Sequence, residues 1–129
     1  MNESDRKLLE SFEDGSLQSL THADHVRVAY LYLMRDPLAD VLRDFPARLQ
    51  SYAASKGAPE LYHATITWAF IALIHERMST EQNASWDDFA QSNPDLLRSS
   101  VLTDDYYRQE ELDAPLARRV FVLPRTRHT

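Results

Sequence analysis

The side chains of this sequence best suited to metal binding or catalysis are those of three histidines. His22 and His25 lie three residues apart in the stretch THADHVRVAYLYL, and His63 precedes the apolar stretch ATITWAFIALI. Three neutral imidazoles with an open fourth position are the usual ligands of a catalytic zinc ion, and imidazole also binds iron, copper and nickel. The pattern therefore predicts one divalent metal ion (Zn, Fe, Cu or Ni) held by His22, His25 and His63.

Helix geometry indicates how these distant histidines would meet. Residues three apart share one side of a helix, so His22 and His25 face the same way. The sequence predicts three consecutive helices joined by short turns, over about residues 21–35, 37–55 and 59–78, the first of them begun by a capping box of Thr21 and Asp24. Such helices pack antiparallel, which brings the first turns of the first and third helices to one end of the bundle. All three histidines lie in those first turns, so we expect them at a similar depth.

Three further residues are candidates for catalysis. Glu60 precedes His63 by three residues and is a candidate fourth ligand or hydrogen-bond partner of a ligand. In place of one histidine it would give two histidines and one carboxylate, the ligand set of non-haem iron oxygenases. Thr67 lies one turn beyond His63 on the same side, and Tyr32 lies on the His25 side of its helix. Both are predicted to line a substrate pocket.

Two other interpretations stay open. His22 and His25 could brace the start of a helix and His63 could be satisfied in the core, which would make the protein a non-catalytic binding or interaction module. Alternatively, a buried histidine could be the base of a metal-free isomerase or cyclase. The metal interpretation predicts an enzyme of hydrolase or oxygenase type acting on a small organic molecule. His75, near a helix end, and His128, in a tail predicted to be disordered, carry little functional weight.

The elements that position these residues are predicted to be helices only. Strong helix formers dominate, and two glycines leave little room for hairpins. The stretch from Ala64 to Ile74 is apolar on every side, which is typical of a buried central helix. We therefore predict an all-α bundle of about five to six helices around this one. Pro46 interrupts the helix predicted over residues 37–55, which leaves a kink at about Leu42, two short helices or one straight helix open. The closing VFVLP is predicted to lie extended across the bundle.

Length and composition limit the class of protein. The 129 residues predict a single domain, 1–129, and a net charge of −6 argues against nucleic acid as a partner. The absence of cysteine excludes thiolate ligands and, together with an N-terminus without an apolar signal segment, favours a cytoplasmic protein. No run of about 18 apolar residues predicts a membrane span. The expected partner is a small-molecule substrate, and a homodimer is left open.

The segments THADHVRVAYLYL and LYHATITWAF, with SWDDFAQSNPDLL and the closing FVLP, resemble a group of small all-helical bacterial proteins of no established activity. The shared pattern, HxxHVxxA followed by YHxTxTWA, spans about Phe12 to Pro124. The resemblance brings no catalytic residues with it. Similar proteins often carry an acidic residue directly after the histidine that corresponds to His63, where this chain has Ala64. If that carboxylate were a ligand or a base, the site of this chain would be altered.

Overall fold

The computed structural model describes residues 1–125, which form a helical bundle without a strand. This confirms the all-α fold, although the C-terminal third divides into more and shorter helices than expected. The elements in order are α1 (Glu3–Asp14), α2 (His22–Arg35), α3 (Leu38–Ser55), a 3-10 turn (Pro59–Leu61), α4 (Ala64–Thr80), α5 (Trp86–Ser92), a second 3-10 turn (Pro94–Leu97), α6 (Val101–Asp105), α7 (Gln109–Asp113) and α8 (Pro115–Arg119). Within residues 1–125 no helix is both long and apolar enough to span a membrane. His128 lies outside the described residues.

The start of α2 follows the predicted capping box. The Thr21 hydroxyl accepts the Asp24 backbone N–H at 3.1 Å, and the Asp24 carboxylate accepts the Thr21 N–H at 3.2 Å. These bonds satisfy two amide groups that a helix start would otherwise leave unpaired. The box fixes where the helix begins, so His22 and His25 both lie in its first turns.

Helix α3 runs through Pro46 without a break. It is one helix, and does not divide into the two short helices that the sequence left open. A proline in a helix removes one backbone hydrogen bond, a loss that burial of the ring against other helices can offset. Pro46 and its neighbour Phe45 are both buried. The continuous helix carries the chain to the far end of the bundle, from which α4 returns.

The central helix begins later than the sequence predicts. Pro59 opens a 3-10 turn, Tyr62 is extended, and α4 starts at Ala64 with His63 as its N-cap. His63 takes this position because its ring accepts the backbone N–H of Ile66 at 3.1 Å, as a capping side chain does. Helix α4 packs against α2, α3 and α8, with Phe70, Ile71, Leu73 and Ile74 among its buried side chains.

The segment after α8 is extended and lies against α4, as predicted for VFVLP. The Thr65 hydroxyl donates to Val120 O at 2.9 Å and accepts the Val122 N–H at 3.0 Å. The Phe121 ring stacks on Trp68, with centroids 5.7 Å apart. This segment therefore covers the part of α4 that bears Thr65 and Trp68.

The short helix α6 begins at Val101 after Ser100 and ends before Tyr106 and Tyr107. The Tyr107 hydroxyl donates to Val122 O at 2.6 Å. Burial of Val101 and Leu102 outweighs the local capping preference of Thr103, since tertiary packing overrides weak propensities.

Candidate functional site

One cavity, which we call the histidine pocket, brings together all three histidines. It has a volume of about 400 Å³ and lies where α2 and α4 begin and α3 ends. This confirms the prediction that antiparallel packing places the three residues at one end of the bundle. The pocket is lined mainly by apolar side chains, and its lining residues are Gln18, Ser19, Leu20, Thr21, His22, His25, Leu49, Tyr52, Ala53, Lys56, Ala58, Leu61, Tyr62, His63, Ile66 and Thr67.

Both ring nitrogens of His63 already have partners. Nδ1 accepts the Ile66 N–H at 3.1 Å, so the proton of the neutral ring is on Nε2, which donates to Leu112 O at 2.7 Å. The first bond caps α4, and the second ties the start of α4 to α7. The buried His63 ring is therefore a structural brace between two elements.

His22 makes a similar connection. Its Nε2 lies 3.0 Å from Leu96 O, and because a carbonyl only accepts, Nε2 carries a proton. The ring also meets the edge of Phe70, with centroids 5.0 Å apart. His22 thus ties the first turn of α2 to the second 3-10 turn.

His25 differs from the other two. Its ring stacks on Phe45 with centroids 5.5 Å apart and planes inclined by 15°. Its Nε2 is buried without a hydrogen-bond partner among the described residues. Burial, together with the nearby His22, lowers the pKa of His25 to about 4. The ring is therefore neutral near pH 7, with one polar atom unsatisfied.

The side-chain arrangement within residues 1–125 contains no group of three His, Cys, Asp or Glu residues that could hold a metal ion. The His22 and His25 ring centroids are 6.4 Å apart. Two imidazoles bound to one tetrahedral zinc ion through Zn–N bonds of about 2 Å have their ring centroids about 5 Å apart. His63 would also have to give up the Ile66 N–H or the Leu112 carbonyl to bind a metal. The residues do not fit a three-histidine metal site in this arrangement, and the metal site stays a prediction.

Of the three candidate catalytic residues, only Thr67 lines the histidine pocket. Its hydroxyl donates to His63 O at 2.8 Å, the common bond of a helical threonine to the carbonyl four residues back. Burial raises the pKa of the neighbouring Tyr62 phenol, and a hydrogen bond with the Thr67 side chain partly offsets that effect. Glu60 lies outside the pocket, exposed on the first 3-10 turn, where its backbone carbonyl accepts a hydrogen bond from Arg118.

Tyr32 lines a different cavity, which we call the tyrosine pocket. This cavity has a volume of about 620 Å³ and is bordered by α1, α2 and α3. The Tyr32 hydroxyl donates to Glu13 Oε2 at 2.5 Å, and burial together with this bond raises the pKa of Tyr32 well above its usual range. The lining residues are Phe12, Glu13, Asp14, Gly15, Tyr32, Arg35, Asp44, Ala47, Arg48, Ser51, Tyr52 and Ser55.

Two residues of the histidine pocket were missed from the sequence. Lys56 follows α3 and lies outside every predicted helix, whereas Tyr62 was counted in the central helix but precedes the N-cap of α4. The antiparallel topology contains the signal that could have found Lys56. If α2 and α4 start at one end of the bundle, then α3 ends there, and the residues after its last turn lie beside the histidines.

Comparisons with known proteins give this chain no family. No protein-family model matches it, and neither a curated protein nor a solved structure is significantly similar to it. The resemblance to small bacterial helical proteins therefore stays a prediction. A functional proposal depends on the geometry of the two pockets.

Proposed function

We propose that this protein binds a small, largely apolar organic molecule in the histidine pocket, with His25 as the polar anchor. The observation that carries the proposal is the buried Nε2 of His25, which lacks a partner among the described residues. Leaving a buried polar atom unpaired costs about 1–3 kcal/mol, and most such atoms in folded proteins are paired. A hydroxyl, amide or carbonyl group of a bound molecule would supply the missing hydrogen bond after a rotation of the His25 side chain that exposes Nε2 to the cavity that this residue lines.

The shape and lining of the pocket support this kind of ligand. Small-molecule sites are commonly concave, mainly apolar and about 300–1,000 Å³ in volume, with a few polar groups that fix orientation. The histidine pocket, at about 400 Å³, falls within this range. Leu49, Leu61 and Ile66 supply apolar walls, and His25 supplies a polar group that nothing else on the described chain uses.

Binding is a better account of His25 than base catalysis. An efficient general base has a pKa near the working pH, whereas burial lowers the pKa of His25 to about 4. No aspartate or glutamate lines the pocket to raise the basicity of the ring. A neutral histidine in this setting donates or accepts a hydrogen bond, which favours the binding module over the metal-free isomerase or cyclase.

A metal-dependent enzyme is the second candidate. It is supported by the position of His22, His25 and His63 along one pocket. It requires at least one existing hydrogen bond of His63 to break, because both of its nitrogens have partners. For this reason we rank the metal-dependent enzyme below ligand binding as a candidate function.

The proposal is tested by titrating the tag-free protein with benzyl alcohol and with toluene, which lacks the hydroxyl. Binding is followed by ligand-observed NMR or calorimetry in wild type and in His25→Leu. We expect the variant to bind benzyl alcohol about tenfold more weakly, the value of one hydrogen bond, and to bind toluene as wild type does. The variant should also be more stable by about 1 kcal/mol, since it removes an unpaired buried polar atom. Failure of wild type to bind either compound would overturn the proposal.

The second candidate is tested by titrating Zn²⁺ and Ni²⁺ into the same proteins. Under the binding proposal neither ion binds wild type stoichiometrically. Uptake of about one equivalent that is lost in both His25→Leu and His63→Ala would favour the metal site. His75→Leu is the matched control, because His75 lies in α4 but does not line the histidine pocket.

A further inference from the structure

We infer that the ligand of the histidine pocket is an anion, a small organic acid whose carboxylate pairs with Lys56 while its apolar body fills the cavity. This inference rests on the proposed function and narrows the chemical class of the ligand. Of the sixteen residues that line the pocket, Lys56 alone belongs to the lysine, arginine, aspartate and glutamate set. In a chain of net charge −6, a pocket with one cation and no carboxylate departs from the average surface.

Lys56 lies at the border between the two pockets. It follows the last turn of α3 and lines the histidine pocket, and its Nζ donates at 3.0 Å to the backbone carbonyl of Gly15, which lines the tyrosine pocket. Nζ also lies 5.3 Å from the centroid of the Tyr52 ring, a cation–π contact that orients the side chain. An ammonium group has three hydrogens, and Gly15 uses one of them. The exposed head can therefore bind a carboxylate without losing either contact.

One helix start adds to the positive potential at this site. The 17-residue α4 begins at the pocket, and a helix N-terminus carries a partial positive charge. The 14-residue α2 begins there too, but the Asp24 carboxylate in its first turn offsets its dipole. The end of α3 contributes a partial negative charge, which the ammonium of Lys56 offsets. Asp24, in the first turn of α2, directs its carboxylate to the Thr21 N–H at 3.2 Å and does not line the pocket.

Three probe ligands that share a benzene ring can distinguish an anionic ligand from a neutral or a cationic one. Benzoate, benzyl alcohol and benzylamine share a ring and differ in charge, so their relative affinities report the electrostatics of the pocket. Exposed ion pairs and helix ends each contribute modestly, which sets the expected preference for benzoate over benzyl alcohol at about fivefold. Benzylamine should bind more weakly than either, and added salt should reduce the preference for benzoate.

Lys56→Gln provides the direct test, and the matched control is Lys7→Gln, which changes the one other lysine of the chain, an exposed residue of α1. We expect Lys56→Gln to remove the preference for benzoate over benzyl alcohol. Lys7→Gln and the charge-conserving Lys56→Arg should keep the preference. His25→Leu should weaken benzoate as well, which places the anion in the histidine pocket. Melting temperatures of each variant check that it is folded.

The possible outcomes separate this inference from the proposed function. If benzyl alcohol binds and benzoate binds equally or more weakly, the anion is excluded while ligand binding stands. A benzoate preference that survives in Lys56→Gln would also overturn the inference. If none of the three compounds binds wild type, both the inference and the proposed function fail.

Discussion

The histidine pocket and the tyrosine pocket differ in how completely they satisfy their own polar groups. The tyrosine pocket is the larger, about 620 Å³ against about 400 Å³, and is lined by charged side chains of both signs. Its buried phenol, Tyr32, already donates to Glu13. The histidine pocket is smaller and mainly apolar, and it leaves Nε2 of His25 unpaired within the described chain. An unmet hydrogen bond, rather than volume, marks the cavity that a ligand would complete.

The two pockets share one residue, Tyr52. Its ring borders both cavities, and its hydroxyl donates to Leu17 O at 2.7 Å. The ring also packs against Phe12, with centroids 5.5 Å apart. The pockets are therefore separate environments on either side of an anchored side chain, and substitutions in one can serve as controls for the other.

The largest expected difference between the pockets is the effect of acid. Burial lowers the pKa of His25 from 6.5 to about 4, so the unfolded chain takes up a proton at a higher pH than the folded protein. The free energy of unfolding should thus fall between pH 6.5 and pH 4, by up to about 3 kcal/mol from this residue alone. Urea unfolding over this range would measure the loss in wild type, and His25→Leu should remove that part.

Tyr32→Phe is the control for the acid experiment. The phenol of Tyr32 is neutral throughout this range, because its pKa is raised above the usual value for tyrosine. The variant should therefore keep the acid dependence of wild type. If the free energy of unfolding depended on pH equally in wild type and His25→Leu, His25 would be accessible to protons in the folded state. That result would contradict the proposed difference between the two pockets.

The next largest effect is expected within the histidine pocket, where substitutions of His63 and of His25 should change the free energy of unfolding in opposite directions. His63→Ala removes the cap of α4 and the bond to Leu112 O, with an expected loss of about 2 kcal/mol in the free energy of unfolding. Chemical denaturation followed by circular dichroism would measure it. His25→Leu should instead raise stability. A His63→Ala protein as stable as wild type would contradict the bracing role and revive the assignment of His63 as a metal ligand.

A smaller loss is expected in the tyrosine pocket. Tyr32→Phe removes the hydrogen bond to Glu13, which should lower the free energy of unfolding by about 1.5 kcal/mol near pH 7. Wild-type stability should also fall as the pH rises above about 10, where the unfolded chain ionises first, and the variant should lose less there. Binding of benzyl alcohol should be unchanged. Weaker binding in the variant would mean that the ligand occupies the tyrosine pocket.

The sequence predicted the large helices and their arrangement because their signals are local and strong. The capping box at Thr21 and Asp24 and the all-round apolar stretch after Ala64 each specify one element. Antiparallel packing of these helices then predicted a common location for the histidines. The continuity of α3 through Pro46 was not predictable, because it depends on how well a buried ring packs against other helices.

The roles of the individual histidines were beyond the sequence. His22 and His63 are satisfied by Leu96 O and Leu112 O, which lie 74 and 49 residues further along the chain. A sequence does not show which backbone carbonyls lie beside a histidine ring. A histidine that is hydrogen-bonded to a distant carbonyl and one that lacks a partner therefore look alike in a sequence. Tyr32 was assigned to the wrong cavity for a related reason, since its hydroxyl pairs with Glu13, from a helix that was given no part in the site.

The smallest expected effect belongs to Glu60, and its size tests where the histidine pocket ends. The Glu60 side chain is exposed, and the one hydrogen bond described for this residue is accepted by its backbone carbonyl, which a substitution preserves. Glu60→Gln should therefore change the free energy of unfolding by less than about 0.5 kcal/mol, as surface substitutions usually do. Calorimetry should give wild-type affinities for benzyl alcohol. A clear loss of affinity would place the carboxylate within reach of the ligand, which would extend the pocket to the 3-10 turn and replace its carboxylate-free lining with the mixed charges that characterise the tyrosine pocket.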